Sequence, residues 1–335
     1  MNAKFDVFGM CNPLYDIQAE VTEELFAEFG LAKGSMNLVG LDDQRQMLPK
    51  LVTHVVNSSA GGSGANTVIG VAQLGGTGCY TGHVGNDEHS HLYREGLESL
   101  GIQANLGVSP GDTGVCMVLI TPDTQRTMCT YLGNSRELNR NDVLSTDIAE
   151  SKYIYVTGYL WDTEMQKEAV VHAMREANRL GVNVALSLSD PFCVQRHRKD
   201  FTQLIASHVS VIFGNRSEAM ELTGTATPHD AALALAKDCD LAAVTMDDEG
   251  SILVQGDMVY EIPVFPVKAV DATGAGDAYA AGLLFGLSRE LPLENTGRLA
   301  SYFAAQVVAH LGPRLSAVDE RTVAKIMAGV PFEGL

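Results

Sequence analysis

Short apolar runs rich in Val and Ile alternate along this chain with longer segments in which apolar positions recur every three or four residues. The first pattern suits a strand buried on both faces, and the second suits a helix laid over it. Their alternation predicts an α/β fold with a mostly parallel central sheet covered by helices on both faces. Strands are expected at 5–10, 153–157, 182–188, 209–213 and 241–245, and helices at 65–74, 89–100, 164–180 and 231–239. Two stretches break the rhythm, roughly 14–41 and 103–132. In the second, G-V-C-M-V-L-I-T and R-T-M-C-T-Y-L read as paired strands with a turn around Pro122 and Asp123. Both stretches are read as a small β-strand lid inserted into one domain spanning 1–335, because no Pro/Gly/Ser linker and no repeat divides the chain.

Composition sharpens this picture in two ways. With 46% hydrophobic and 19% charged residues the chain is globular, and its net charge of -18 repels polyanions, so nucleic acid is not expected as a partner. An anionic small molecule can still bind where amides and a few cations are gathered locally. The six cysteines form no C-x-x-C pair and the nine histidines show no zinc-like spacing, which suits free thiols in a reducing compartment. No cleavable leader is evident and no run approaches the roughly 18 apolar residues of a membrane span, so a cytoplasmic location without a membrane partner is expected.

Three segments carry candidate chemistry. At 270–279 the chain reads V-D-A-T-G-A-G-D-A-Y and runs into an apolar stretch. Small residues Gly274, Ala275 and Gly276 allow a sharp turn that leaves amides bare where a helix begins, an anion hole in prospect. Asp277 beside it is a poor phosphate ligand but a suitable base for an attacking hydroxyl, although a helix-start carboxylate is the plainer reading of G-x-G-D alone. At 60–67, A-G-G-S-G-A-N-T lets a ligand lie on Gly61, Gly62 and Ser63, and Asn66 offers both a donor and an acceptor to a diol; a flexible loop before a helix would look the same. At 213–218, Asn215 and Glu218 share one helical face and can hold a hydrated Mg²⁺ through water, or can simply form a capping box.

Taken together, the first two segments resemble the second and first signatures of the PfkB (ribokinase-like) family, and the third resembles its N-x-x-E motif. The start F-G-M-C-N-P-L-Y-D-I at 8–17 is similar to that of the family's adenosine kinases. There the resemblance implies that Asp16 grips two sugar hydroxyls and that Asn12 lies near the nucleoside. Q-R-T-M at 125–128 resembles a lid segment whose arginine reaches the transferred phosphate, which makes Arg126 the candidate cation. In family terms Thr245, Gly250 and His310 lie along the ATP site together with Asn215, Gly274 and Gly276. Where many adenosine kinases carry a Gln against the purine, the chain has Met36.

The resemblance implies a kinase that uses ATP with Mg²⁺, allows a monovalent cation, acts on a nucleoside or sugar, and is a monomer or homodimer. A P-loop kinase is excluded, since no lysine follows a glycine, and no G-x-G-x-x-G follows the first strand as a nicotinamide dehydrogenase would need. A ribokinase- or fructokinase-type sugar kinase is the rival within the class. A non-catalytic nucleotide sensor on the same fold is the rival outside it, disfavoured because Asp277 is present.

Overall fold

The computed structural model describes residues 3–334. Its strands, in chain order, are β1 (Phe5–Met10), β2 (Leu14–Glu20), β3 (Met36–Leu38), β4 (Val55–Gly61), β5 (Gly78–Val84), β6 (Gln103–Val108) and β7 (Gly114–Ile120). They continue with β8 (Arg126–Tyr131), β9 (Ser151–Thr157), β10 (Asn183–Ser187), β11 (Val211–Asn215), β12 (Leu241–Thr245), β13 (Ser251–Gln255) and β14 (Met258–Ile262). Nine of them form the main sheet in the order β14-β13-β12-β11-β10-β9-β1-β5-β6. From β12 to β6 the neighbours run parallel, while β13 and β14 close one edge as antiparallel strands.

Side chains alternate across this sheet and feed two separate cores. On β9, Ile154 and Val156 enter one core and Tyr155 the other; on β12, Ala242 and Val244 enter the first, and Leu241 and Ala243 the second. A strand buried on both faces needs apolar residues at every position, which is why these runs were readable as strands.

The smaller sheet has the order β3-β8-β7-β2-β4. The stretch 14–41 and the later part of 103–132 contribute to it, through β2, β3, β7 and β8. The segment 103–108 does not: β6 pairs in parallel with β5 and belongs to the main sheet. The helix Glu88–Glu98 supplies the crossover such a parallel pair requires, and Ile102 and Ala104 are buried beneath it. Conversely β4, not foreseen, lies antiparallel to β2 at the lid edge. Its V-V-N-S-S-A-G sequence is mostly exposed and lacks the apolar density of a core strand. The expected strand at 209–213 is observed two residues later, and the helix expected at 231–239 runs from Pro228 to Leu235, started by Thr227.

Three helices meet edge to edge beside the candidate residues. Along Ala275–Ser288 every residue from Ala278 to Gly286 is buried, so this helix is wrapped by protein rather than lying on its surface. A Cβ on Gly70, in the helix Ser63–Gln73, would stand 2.6 Å from Ala281 Cβ, and one on Gly282 would stand 2.6 Å from Ala300 Cα. Glycine at these two points therefore sets the approach of the helix that carries Asp277 to its neighbours. Gly282→Ala forces a methyl against backbone and is expected to cost about 1–3 kcal/mol, despite alanine's better helix propensity. Urea unfolding measures this; an unchanged or raised midpoint would show that the packing yields without cost.

Candidate active site

The candidate residues collect beyond the carboxyl ends of the parallel strands, where open α/β sheets place their ligands. Asn12 follows β1, and Asn215 ends β11 directly opposite Thr245 at the end of β12. Above them the helix Ala275–Ser288 begins at Gly274, whose φ of 77° requires the left-handed region and whose missing side chain admits Pro313. No side chain caps this helix, and the Gly276 and Asp277 amides have no acceptor among the described residues. Gly276 is exposed, and a Cβ there would meet nothing, so these amides open toward space that an anion can fill.

Asp277 projects from the first turn of that helix. Its Oδ1 accepts from Ser63 Oγ at 2.5 Å and its Oδ2 from Asn66 Nδ2 at 3.0 Å. Thr67 adds a hydroxyl bond to the Asp277 carbonyl at 3.3 Å. The glycine-rich segment at 60–67 and the segment at 270–279 thus form one cluster. Burial pushes the Asp277 carboxyl up to about 6, against the opposing pull of Ser63, Asn66 and Arg314. A carboxylate so tuned can hold or release a proton near neutral pH.

Asp16 lies on the face of β2 opposite buried Tyr15 and Ile17, with its carboxylate pressed onto Gly61. Any side chain at Gly61 would collide with it, which explains glycine there. Gly62, with φ 91°, turns the chain against the Asn12 carbonyl. Burial raises Asp16 to about 7; Arg314 opposes the rise and Asp277 adds to it. Ser63 and Asn66, expected at the acceptor, direct their observed bonds to Asp277, and Asn66 Oδ1 accepts from Arg314 Nε at 3.1 Å and Nη2 at 2.9 Å. Asn12 is buried: its oxygen accepts from Gln166 at 2.7 Å and its Nδ2 reaches the Tyr159 carbonyl at 3.5 Å, so it shapes a wall of the cluster.

Arg126 reaches down from β8 to the same place. Its Nη1 stands 2.8 Å from Asp271 Oδ2, with only 10% and 8% of the two side chains exposed, while its Nε has no partner. Asp271 also accepts from its own loop, at Thr273 N, 3.0 Å, and from Gly312 N at 2.8 Å. One carboxylate therefore joins the lid, the 270–279 loop and the loop carrying Pro313 and Arg314.

On the expected ATP side, Asn215 and Glu218 form a reciprocal cap. Asn215 N and Nδ2 donate to the two Glu218 oxygens at 3.0 and 2.7 Å, and Glu218 N donates back to Asn215 Oδ1 at 2.9 Å. Burial raises the Glu218 carboxyl to about 7. Among the described residues no three metal-ligating side chains cluster. Gly250, φ 90°, lets the chain turn tightly beside the Ile262 carbonyl after Thr245. His310 is exposed beyond the helix Leu293–Val308, its Nδ1 2.7 Å from the Gln306 carbonyl. Met36 sits on the edge strand β3, 51% exposed.

Two participants were not legible. Arg314 is a single arginine in G-P-R-L with no motif around it, and Asp271 stands inside a recognised segment whose spacing says nothing of what its side chain holds.

Known proteins resemble this chain in sequence and fold. Residues 29–320 match the pfkB family carbohydrate kinases. The fold superimposes on the adenosine kinase of Sinorhizobium meliloti with a TM-score of 0.86 and 38% identity, covering 96% of this chain and 99% of that one. A probable sugar kinase from Rhizobium etli gives 0.87 and 32%, covering 98% and 100%. The adenosine kinase of Saccharomyces cerevisiae is 29% identical over 340 residues, covering 93% of this chain and 97% of that protein.

Because the Arg126 and Asp271 side chains are each no more than 10% exposed, removing one leaves the other charge largely desolvated and unpaired. Asp271→Ala should cost about 3–5 kcal/mol, read as a lowered urea midpoint. A loss within about 0.5 kcal/mol, the range of ordinary surface substitutions, would mean that the pair is replaced by water without consequence.

Proposed function

The chain belongs to the pfkB family of carbohydrate kinases, and we propose that it moves the γ-phosphoryl group of ATP to the 5′ hydroxyl of adenosine or a related nucleoside. The observation that carries this reading is the Asp277 carboxylate, held by Ser63 and Asn66 next to unfilled helix-start amides. Asp277 takes the proton of the acceptor hydroxyl as the hydroxyl oxygen attacks the γ-phosphorus and the bond from that phosphorus to the β–γ bridging oxygen breaks, leaving ADP. The amides after Gly274 receive the charge on the phosphoryl oxygens. Arg126, already inside the site on Asp271, supplies a guanidinium to the same oxygens when the lid is closed over ATP. Mg²⁺ bound with ATP neutralises phosphate charge, and Asn215 and Glu218 would hold it through water. Thr245, Gly250 and His310 line the proposed nucleotide side.

Asp16 supports a diol acceptor, since two carboxylate oxygens match two neighbouring hydroxyls and the absent side chain at Gly61 leaves room for the carboxylate. The similarity to the S. meliloti adenosine kinase favours a nucleoside. A sugar kinase is the second reading, favoured by Met36, which brings no hydrogen-bonding group to a purine edge, and by the likeness to the R. etli protein.

A coupled assay with adenosine, ribose and fructose is expected to give adenosine the highest kcat/KM. A free hexose preferred by a wide margin would overturn the nucleoside and leave the kinase. For the base, Asp277→Asn keeps size and hydrogen bonding and should lower kcat by about 10² to 10⁴ while ATP binding is retained. In the native enzyme activity should fall as pH drops through about 6 to 7, the range to which burial raises the Asp277 and Asp16 carboxyls, because the base must be ionised to accept a proton. Near-normal turnover of the Asn variant would remove Asp277 from the mechanism.

A further inference from the structure

We infer that Arg314 is a positioning residue for the proton acceptor: it grips Asn66 so that the amide nitrogen faces Asp277, and its charge balances the carboxylates of Asp16 and Asp277. The inference rests on reading Asp277 as the base.

The geometry leaves the Asn66 amide one sensible orientation. Arg314 Nε and Nη2 both donate to Oδ1, at 3.1 and 2.9 Å, and Nη2 also donates to the Ala60 carbonyl. With Oδ1 so occupied, Nδ2 is the end left to donate to Asp277, at 3.0 Å. Reversing the amide would set N–H against N–H and oxygen against carboxylate, two repulsive contacts. A guanidinium makes this possible because its donors diverge from one rigid plane, which an ammonium cannot imitate.

The loop carrying Arg314 is fastened to the loop of the base. Gly312 N donates to Asp271 Oδ2 at 2.8 Å, and Pro313 packs where a side chain on Gly274 would lie. Arg314 therefore moves with the helix start that bears Asp277.

Charge gives a second, separate argument. The titratable groups facing Asp277 are Asp16 from β2, Cys11 after β1, Tyr155 from β9, Tyr159 beyond it, and Arg314. Burial raises the Cys11 thiol and both tyrosines, as it does Tyr93 on the far side of Arg314, so all four stay neutral. With Arg126 paired to Asp271, the two carboxylates Asp16 and Asp277 share one pocket with Arg314. Without it each would oppose ionisation of the other, and the base would hold its proton at neutral pH.

The test combines a pH–rate profile with ¹³C NMR titration of the Asp277 carboxyl, assigned by its loss in Asp277→Asn. The NMR reading needs no turnover. Arg314→Gln is expected to move both the acid limb of kcat/KM and the Asp277 titration upward by about one to three pH units. Arg314→Lys keeps the charge and loses the fork. It should hold the Asp277 titration within about one unit of native yet leave kcat at least about tenfold down, since Asn66 is no longer gripped. An Asp277 titration that stays in place in the Gln variant, with only the melting temperature lowered, would make Arg314 a structural strap. Full recovery of kcat in the Lys variant would overturn the grip on Asn66. If native protein transfers phosphoryl to no acceptor while the Gln variant still shifts the carboxyl, the base reading falls and the charge coupling stands.

Discussion

A carboxylate that must change its protonation while enclosed by protein needs partners for its charge, and this requirement at Asp277 orders much of the fold around it. Taking an ion out of water costs several kcal/mol unless hydrogen bonds and counter-charge replace the lost hydration. Here the replacements come from far along the chain: Ser63 and Asn66 lie 214 and 211 residues from Asp277 in sequence. Bringing them together needs the close helix contact at Gly70, which exists because that residue has no side chain, while Gly282 gives the helix Leu293–Val308 an equally close approach. Core packing and site chemistry are in this sense one constraint.

Asp271 extends the constraint to the lid. Its carboxylate holds the lid's Arg126 and the backbone of Gly312 together with its own turn. A buried arginine with an unpartnered Nε has donor capacity left over, and phosphoryl oxygens entering beside the helix start would be suitable acceptors. Lid position and the shape of the anion hole are thereby linked through one side chain, so a closed lid and a formed site should occur together.

How much of this could be read from the chain follows from which interactions are local. The core strands were readable because burial on both faces demands an unbroken apolar run, as in β9 and β12. The segments at 60–67 and 270–279 were readable because tight turns select small residues whatever surrounds them. The strand β4 was hidden: an exposed lid edge places little demand on composition, so V-V-N-S-S-A-G looks like a loop. The β6 segment was misplaced in the lid because its alternation suits either sheet, and only its pairing with β5 decides. Asn66 was singled out for its donor and acceptor, but its partners, Asp277 and Arg314, come from distant sequence that spacing does not report. For Asn215 and Glu218, the local cap is what the structure displays, while any ion lies beyond what a local pattern can specify.

If one site joins a hydroxyl acceptor to the γ-phosphoryl group of ATP, the transfer can be watched at phosphorus. ³¹P NMR of a reaction with ATP and adenosine observes that transfer directly. ADP and a nucleoside 5′-monophosphate are expected to grow in equal amounts, without inorganic phosphate, because the acceptor oxygen and not water is deprotonated beside Asp277. Inorganic phosphate appearing in step with ADP, with no phosphorylated acceptor from adenosine or any sugar offered in its place, would contradict it.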